Sequence, residues 1–392
     1  MSTSAAAPEP SRTPARWRVP IVAWAVSRLL ILVAALAASA AFGVPTRGVD
    51  PAVPGWIDQI GGWDTTWYLD IARNGYAHDA GQVGEVFTNL AFFPLMPGLI
   101  AFFLAVGINP FLGGLAVSNA AFLAALAGLH RLTAARMGEA AADRATWVLA
   151  LAPPALYCSL AYTEGIAVLC AVAAAYCAVR ERFALAGLIA AVAALTRPTG
   201  VLVALLVGLL ALYAPGEGRR RLRRAALGVL PSVAAVAAFL GWMAVARGSA
   251  LLPLDAQRAW DRGQLGVGLV TAAPDEIAAG WRLAVEGRFT AAWHATARDL
   301  AFLAAYVWLL VRLWRAEGGL RSPWVVYCLA VIAVPLSSGT ITSMARFGLL
   351  AFPLVWPFAD WLAEDRRRVP WAAGTAVALT LLMVAQLTMR SP

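Results

Sequence analysis

The stretch Ala91-Phe92-Phe93-Pro94-Leu95-Met96-Pro97-Gly98-Leu99-Ile100-Ala101-Phe102-Phe103-Leu104-Ala105-Val106 decides how the chain is arranged. Its composition suits a bilayer, but it offers only 16 residues, and Pro94 and Pro97 interrupt its first turns. A helix needs about 20 apolar residues to cross a hydrocarbon core of about 30 Å, and proline removes a ladder hydrogen bond. Whether 91–106 crosses sets the side of everything after it, so the decision rests on where the arginines fall.

Basic residues in short loops collect on the cytosolic side. All 31 basic residues are arginine. With 91–106 kept out of the count, the connections 1–19, 131–144, 180–182, 215–224, 312–321 and 364–369 become cytosolic and hold 19 arginines. The opposite face receives 11, seven of them in two long loops where the rule has little force, and Arg28 stays inside the first span. If 91–106 crossed, Arg219–Arg224 and Arg366–Arg368 would lie outside. The expectation is therefore eleven spans, a cytosolic N-terminus and an outer C-terminus. Segment 91–106 becomes a juxtamembrane or re-entrant helix.

Composition supports this class. The chain has 392 residues, 61% hydrophobic and 14% charged, with mean hydropathy +0.70. Soluble domains are about 45–50% apolar and about 25% charged. Sixteen Trp, 15 Phe and 8 Tyr carry too much apolar surface for a solvated coil. The net charge of +9 on a soluble chain would suggest nucleic acid; here it marks topology, and no nucleic-acid partner is expected. A flexible cytosolic tail, 1–19, precedes one transmembrane domain, 20–390, with long outer loops at 43–109 and 247–297. The spans start with Pro20–Phe42. They continue at 110–130, 145–161, 163–179, 183–196, 199–214, 225–246, 298–314, 322–338, 344–362 and 370–388. No signal-peptide cleavage site follows the first run.

Cys158, Cys170, Cys177 and Cys328 lie in apolar runs and read as reduced, buried thiols. His78, His130 and His294 are too scattered for a ligand cluster, so neither metal nor cofactor is expected. The acids are more informative. Thirteen of 22 fall on the outer side in this topology, so carboxylate chemistry belongs there.

The first outer loop holds Gly62-Trp63-Asp64-Thr65-Thr66-Trp67-Tyr68-Leu69-Asp70-Ile71-Ala72-Arg73-Asn74-Gly75-Tyr76. Trp63, Trp67 and Ile71 recur at i, i+4 and i+8, the spacing of an interfacial amphipathic helix. Asp64 near its start is either a helix cap or a reactive carboxylate; Asp70 faces away and reads as structural. Phe92-Phe93-Pro94 reads as interface packing. In Ala161-Tyr162-Thr163-Glu164 the carboxylate sits at a tight turn between spans, where it needs a partner or water unless it caps the next helix. Arg197 in Thr196-Arg197-Pro198-Thr199-Gly200 either snorkels or binds an anion. Arg346 in Ser343-Met344-Ala345-Arg346-Phe347 starts an apolar span and requires an anion. In one topology Asp64, Glu164, Arg197 and Arg346 share a side. Acid and arginine there suit a phosphate-linked lipid donor and a polar acceptor.

These residues resemble the PIG-V family of polytopic mannosyltransferases. The shared elements are Trp63-Asp64…Tyr68…Ile71-Ala72…Gly75-Tyr76, Ala91-Phe92-Phe93-Pro94-Leu95-Met96-Pro97, Tyr162-Thr163-Glu164, Thr196-Arg197-Pro198-Thr199-Gly200 and Ala345-Arg346-Phe347. The resemblance is specific from about residue 20 to 200 and weaker to about 365; loop 247–297 carries no family motif. It implies an all-α GT-C glycosyltransferase fold, a polyprenyl-phosphate-mannose donor and transfer with inversion. By carry-over, Asp64 is the general base, Arg346 and then Arg197 hold the donor phosphate, and Trp63, Tyr76, Tyr162 and Glu164 line the substrate site. The lysine-free, alanine-rich composition has a bacterial character, and bacteria generally lack GPI anchors. The acceptor is therefore open among a cell-wall glycan, a lipoglycan and a secreted protein. The competing readings are a transporter or lipid-linked sugar flippase, which would show internal symmetry and broken mid-membrane helices, and a non-catalytic scaffold. No half-to-half repeat is evident.

Overall fold

The computed structural model describes residues 15–42, 49–50, 52–58, 60–77, 83–262, 268–287 and 291–389. Most of the expected tail, parts of both long loops and His78 lie outside them. Among the described residues the structure is helical; its one β feature is an isolated bridge, Val83 to Val86. A chain this apolar keeps its backbone hydrogen bonds local, as a bilayer requires.

The first helix, α1 (Ala15–Phe42), precedes three short elements of the first long loop: α2 (Gly55–Asp58), α3 (Asp64–Asn74) and α4 (Leu95–Ala105). A tightly packed group follows: α5 (Pro110–Met137), α6 (Glu139–Leu151), α7 (Glu164–Val179), α8 (Phe183–Ala194), α9 (Leu202–Tyr213) and α10 (Gly218–Arg247). The second long loop carries α11 (Leu252–Asp255) and α12 (Gly268–Val285). The chain ends with α13 (Ala291–Glu317), α14 (Pro323–Leu336), α15 (Met344–Phe347), α16 (Val355–Glu364) and α17 (Arg368–Met389).

Three described helices are long and apolar enough to cross a membrane, within Trp17–Ala41, Pro110–Met137 and Gly218–Arg247. Pro153–Ser159 and Glu164–Val179 form an apolar pair bent by 106°, and five shorter apolar helices accompany them. Segment 91–106 forms α4, whose 11 residues reach about 16 Å, about half a hydrocarbon core. Large apolar side chains point outward, among them Leu29, Val33, Leu188 and Leu230, each more than half exposed. Water penalises such a surface and lipid does not.

Two expected continuous runs are broken. The run 145–161 stops as a helix at Leu151, because Pro153 and Pro154 lack the N–H groups that would continue it. The run 344–362 is four pieces: α15, two 3₁₀ turns at Gly348–Leu350 and Phe352–Leu354, and α16. Pro353 opens the second turn and Pro357 lies in the first turn of α16. The tail also ends sooner than expected, since α1 already begins at Ala15.

The core is built from small residues. Ala174, Ala175, Ala186, Ala190 and Ala193 are fully buried, and α8 packs closely on α10. Lipid offers no hydrophobic drive between helices, so close backbone approach and dispersion must hold them. Gly187 makes that approach possible: a Cβ there would sit 2.1 Å from the Leu227 carbonyl oxygen. Gly165 does the same beside Glu164, where a Cβ would meet the Ser118 carbonyl oxygen at 2.4 Å. The start of α7 is thereby seated directly against α5.

Candidate functional site

Four charged side chains from four distant segments meet in one chain of ion pairs. Arg346 on α15 donates through Nη2 to Asp64 Oδ2 and through Nε to Glu164 Oε1. Arg197 Nη1 donates to the same Glu164 oxygen at 2.7 Å. Glu164 is 1% exposed and Arg197 is 7% exposed, whereas the Asp64 side chain retains 19%. A buried and a partly buried guanidinium group around one buried carboxylate satisfy the requirement that a desolvated charge be paired. Asp64 is the member of the set with the most open carboxylate.

Backbone geometry aims these groups. Asp64 is the first residue of α3, and the residue before it, Trp63, has φ 64. No side chain caps α3; the Asp64 carboxylate serves Arg346. Ser343, three residues before Arg346, has φ 67. Its turn is clamped by Asp299 on α13, which is 1% exposed. Asp299 accepts the Ser343 amide at 3.1 Å, the Ala345 amide at 3.2 Å and Arg298 Nη2 at 2.9 Å. Tyr306 Oη also donates to the Ala345 carbonyl at 2.8 Å. Left-handed backbone at a non-glycine residue persists only where its surroundings hold it. Here they do so beside the charges.

Aromatic rings line the cluster. The Arg346 guanidinium lies over the Tyr162 ring at 4.9 Å and near that of Tyr157 at 5.8 Å, and these two rings stack at 6.2 Å. Arg197 lies over Phe347 at 5.1 Å. Tyr162 Oη donates to the Gly62 carbonyl at 3.4 Å, tying the turn before α7 to the approach of α3. Tyr68 is buried beside Asp64; burial first, then that carboxylate's charge, pushes its phenol pKa up.

Several buried polar atoms around this set have no protein partner: Glu164 Oε2, Arg197 Nε, and the hydroxyls of Thr65, Thr163 and Thr199. A buried group left unsatisfied costs about 1–3 kcal/mol. These atoms adjoin Asp64, Glu164 and Arg197. No group of three His, Cys, Asp or Glu able to hold a metal occurs among the described residues.

Of the expected site residues, the structure brings together Asp64, Tyr162, Glu164, Arg197 and Arg346. Trp63, 42% exposed, adjoins Asp64 but stands outside the helix. The buried face of α3 is Thr65, Tyr68, Leu69 and Ile71; of the Trp63–Trp67–Ile71 stripe, Ile71 lies on that face, Trp67 is half-buried against Phe92 and Trp260, and Trp63 precedes the helix. Tyr76 is not brought into the cluster. It is buried, donates to the Phe92 carbonyl at 2.9 Å and packs on Phe239 and Trp242. Asp70 is structural, accepting from Asn74 at 2.8 Å and Asn89 at 2.7 Å.

Two residues that sequence reasoning passed over adjoin the cluster: Asp299 and Tyr157. Asp299 was legible only as an ionisable residue on the same side as Asp64. The chain matches no protein-family model and no curated protein.

Proposed function

We propose that the protein is a membrane glycosyltransferase that moves mannose from a polyprenyl-phosphate-mannose donor to a glycan, lipoglycan or protein acceptor. In this reading the chain is a single multi-pass GT-C domain of the cell membrane. It has eleven spans, a cytosolic N-terminus and its active site on the outer face. The observation that carries it is the meeting of Asp64, Glu164, Arg197 and Arg346 beside unsatisfied buried polar atoms.

Asp64 is the base because it is the more open carboxylate; Glu164 is already engaged by two guanidinium groups. Arg346 bridges both acids, so an arriving phosphate can take its Nη2 and release Asp64. Asp64 then accepts the acceptor hydroxyl proton as that oxygen attacks the anomeric carbon. The bond from anomeric carbon to phosphate oxygen breaks on the opposite face, which inverts the centre. The electron pair leaves on the lipid phosphate, whose growing charge Arg346 and Arg197 offset. Tyr162 supports Arg346, and Trp63 offers an exposed ring for stacking. Tyr76 holds the loop rather than the substrate.

The test is transfer of labelled mannose from polyprenyl-phosphate mannose in membranes. Asp64→Asn is expected to lower transfer by roughly 100- to 10,000-fold at unchanged expression. Wild-type transfer by that variant removes Asp64 from the base role. Substrate movement across liposomes without covalent product replaces the reading with a transporter.

A further inference from the structure

Four non-glycine residues among those described have positive φ: Trp63, Glu181, Asp261 and Ser343. Two of them lead into the ion-pair cluster, through Asp64 and Arg346. A third, Asp261 at φ 57, immediately precedes Arg262 in the second long loop. The 256–262 segment is docked onto the first loop. Gln257 Nε2 donates to the Ala91 carbonyl at 2.9 Å, and Trp260 packs on Phe87, Phe92 and Trp67 at 4.8, 5.8 and 6.3 Å. The Arg262 amide closes the turn on the Gln257 carbonyl at 3.2 Å. This docking holds the strained turn at Asp261 and points Arg262 at the cluster.

The Arg262 guanidinium lies over Phe347 at 4.7 Å, the same ring that Arg197 covers. Its Nη2 donates to the Thr342 carbonyl at 2.5 Å, in the turn that carries Arg346. It makes no ion pair among the described residues, and its remaining N–H groups are neither hydrogen-bonded nor sealed inside protein. Partial withdrawal from water, and then repulsion from Arg346 and Arg197, lower its pKa to about 10, so it stays charged at pH 7.

The charges around it decide its role. Asp64 and Glu164 balance Arg346 and Arg197, and Asp299 balances Arg298. Of these seven side chains Arg262 is the cation without a carboxylate partner, and one bound monoanion makes the seven neutral; Glu276 reaches the same turn only through the Thr340 hydroxyl. A lipid phosphodiester is such a monoanion, with two free oxygens that fit a guanidinium fork. We propose that Arg262, supplied by the second long loop, is the principal charge partner of the lipid donor's phosphate, while Arg346 and Arg197 remain tied to the acids until it arrives. This rests on reading the site as one for a phosphate-linked lipid donor, and it assigns that donor's phosphate to a residue outside every motif of the sequence.

The test uses the purified full chain in detergent, with binding of a short-chain prenyl methyl phosphate, a phosphodiester monoanion called prenyl phosphate below, read by intrinsic tryptophan fluorescence. The matched prenyl alcohol and inorganic phosphate are the other arms. Wild type is expected to prefer prenyl phosphate over both. Arg262→Ala should weaken prenyl phosphate roughly 10- to 100-fold, the value of a charge-assisted hydrogen bond, and leave prenyl alcohol unchanged. Arg262→Lys should lose less, and Arg258→Ala, an exposed neighbour paired with Asp255, should lose nothing. Unchanged alcohol binding by Arg262→Ala shows that the fold persists. Wild-type phosphate affinity in Arg262→Ala overturns the assignment alone. Absence of any preference for phosphate in the wild type overturns the lipid-donor reading with it. Equal binding of inorganic phosphate overturns the lipid source.

Discussion

The two ends of α13 carry the same chemistry in opposite settings. Near its start, Asp299 is 1% exposed and clamps the turn that delivers Arg346 to Asp64 and Glu164. Thirteen residues on, about 20 Å along the helix, Arg312 pairs with Glu364, which also takes Arg368 at 2.6 Å. There the side chains are 30%, 48% and 32% exposed. Arginine and carboxylate meet at both ends, but only the first end removes them from water. Desolvation makes a pair costly to break, whereas solvent screening makes a pair nearly free to lose. The end that spends stability on buried charge is also the end with strained backbone, at Ser343.

The largest effect should come from Glu164→Gln. It leaves Arg346 and Arg197 buried around a neutral group, and breaking a buried pair costs about 3–5 kcal/mol. Thermal unfolding in detergent should show a larger fall in Tm than either Asp299→Ala or Glu364→Gln produces. An unchanged Tm would mean that the Glu164 pairing is not held in the folded protein, and the contrast between the two ends would fail. Asp299→Ala comes next. It removes an acceptor from two backbone amides and Arg298, at about 1–3 kcal/mol, and it frees the turn at Ser343. Its distinguishing readout is a loss of prenyl phosphate binding, which a purely structural acid elsewhere would not cause.

Glu364→Gln should have the smallest effect, with no resolvable change in Tm at neutral pH. Hydrogen bonds from Arg368 and Arg312 hold the Glu364 carboxyl below its ordinary range. A depressed pKa contributes stability above the ordinary carboxylate value and loses it as pH falls through the folded value. Any small Tm difference between wild type and Glu364→Gln should therefore vanish in acid. A fall in Tm as large as that of Glu164→Gln would show that burial is not what separates the ends.

Much of the helical frame was legible because hydropathy and proline act locally. The brevity of α4 follows from Pro94, Pro97 and its limited length, and the starts of α7, α8 and α14 fall within a few residues of the expected runs. The breaks at Pro153 and within 344–362 were also present as prolines. They were hidden because apolar composition continues through a broken helix as readily as through a straight one. The stripe on α3 was legible only in part: Trp63 has positive φ and lies before the helix, and periodicity carries no information about φ.

Asp64, Glu164, Arg197 and Arg346 could be nominated from sequence because charge is expensive in an apolar chain. Nomination does not supply partners. Only the fold shows Arg346 reaching Asp64 across 282 positions and Glu164 across 182, and only the fold moves Tyr76 into a packing role and Asp299 into a clamp. Arg262 is the clearest case. In the sequence it is one of 31 arginines, all chemically alike. Composition and local pattern suffice to make this chain helical, apolar and sparing with its charges, since those properties depend on near neighbours and solvent. Which charges near Asp64 cancel is settled only in three dimensions, because it depends on distances between residues far apart in the chain.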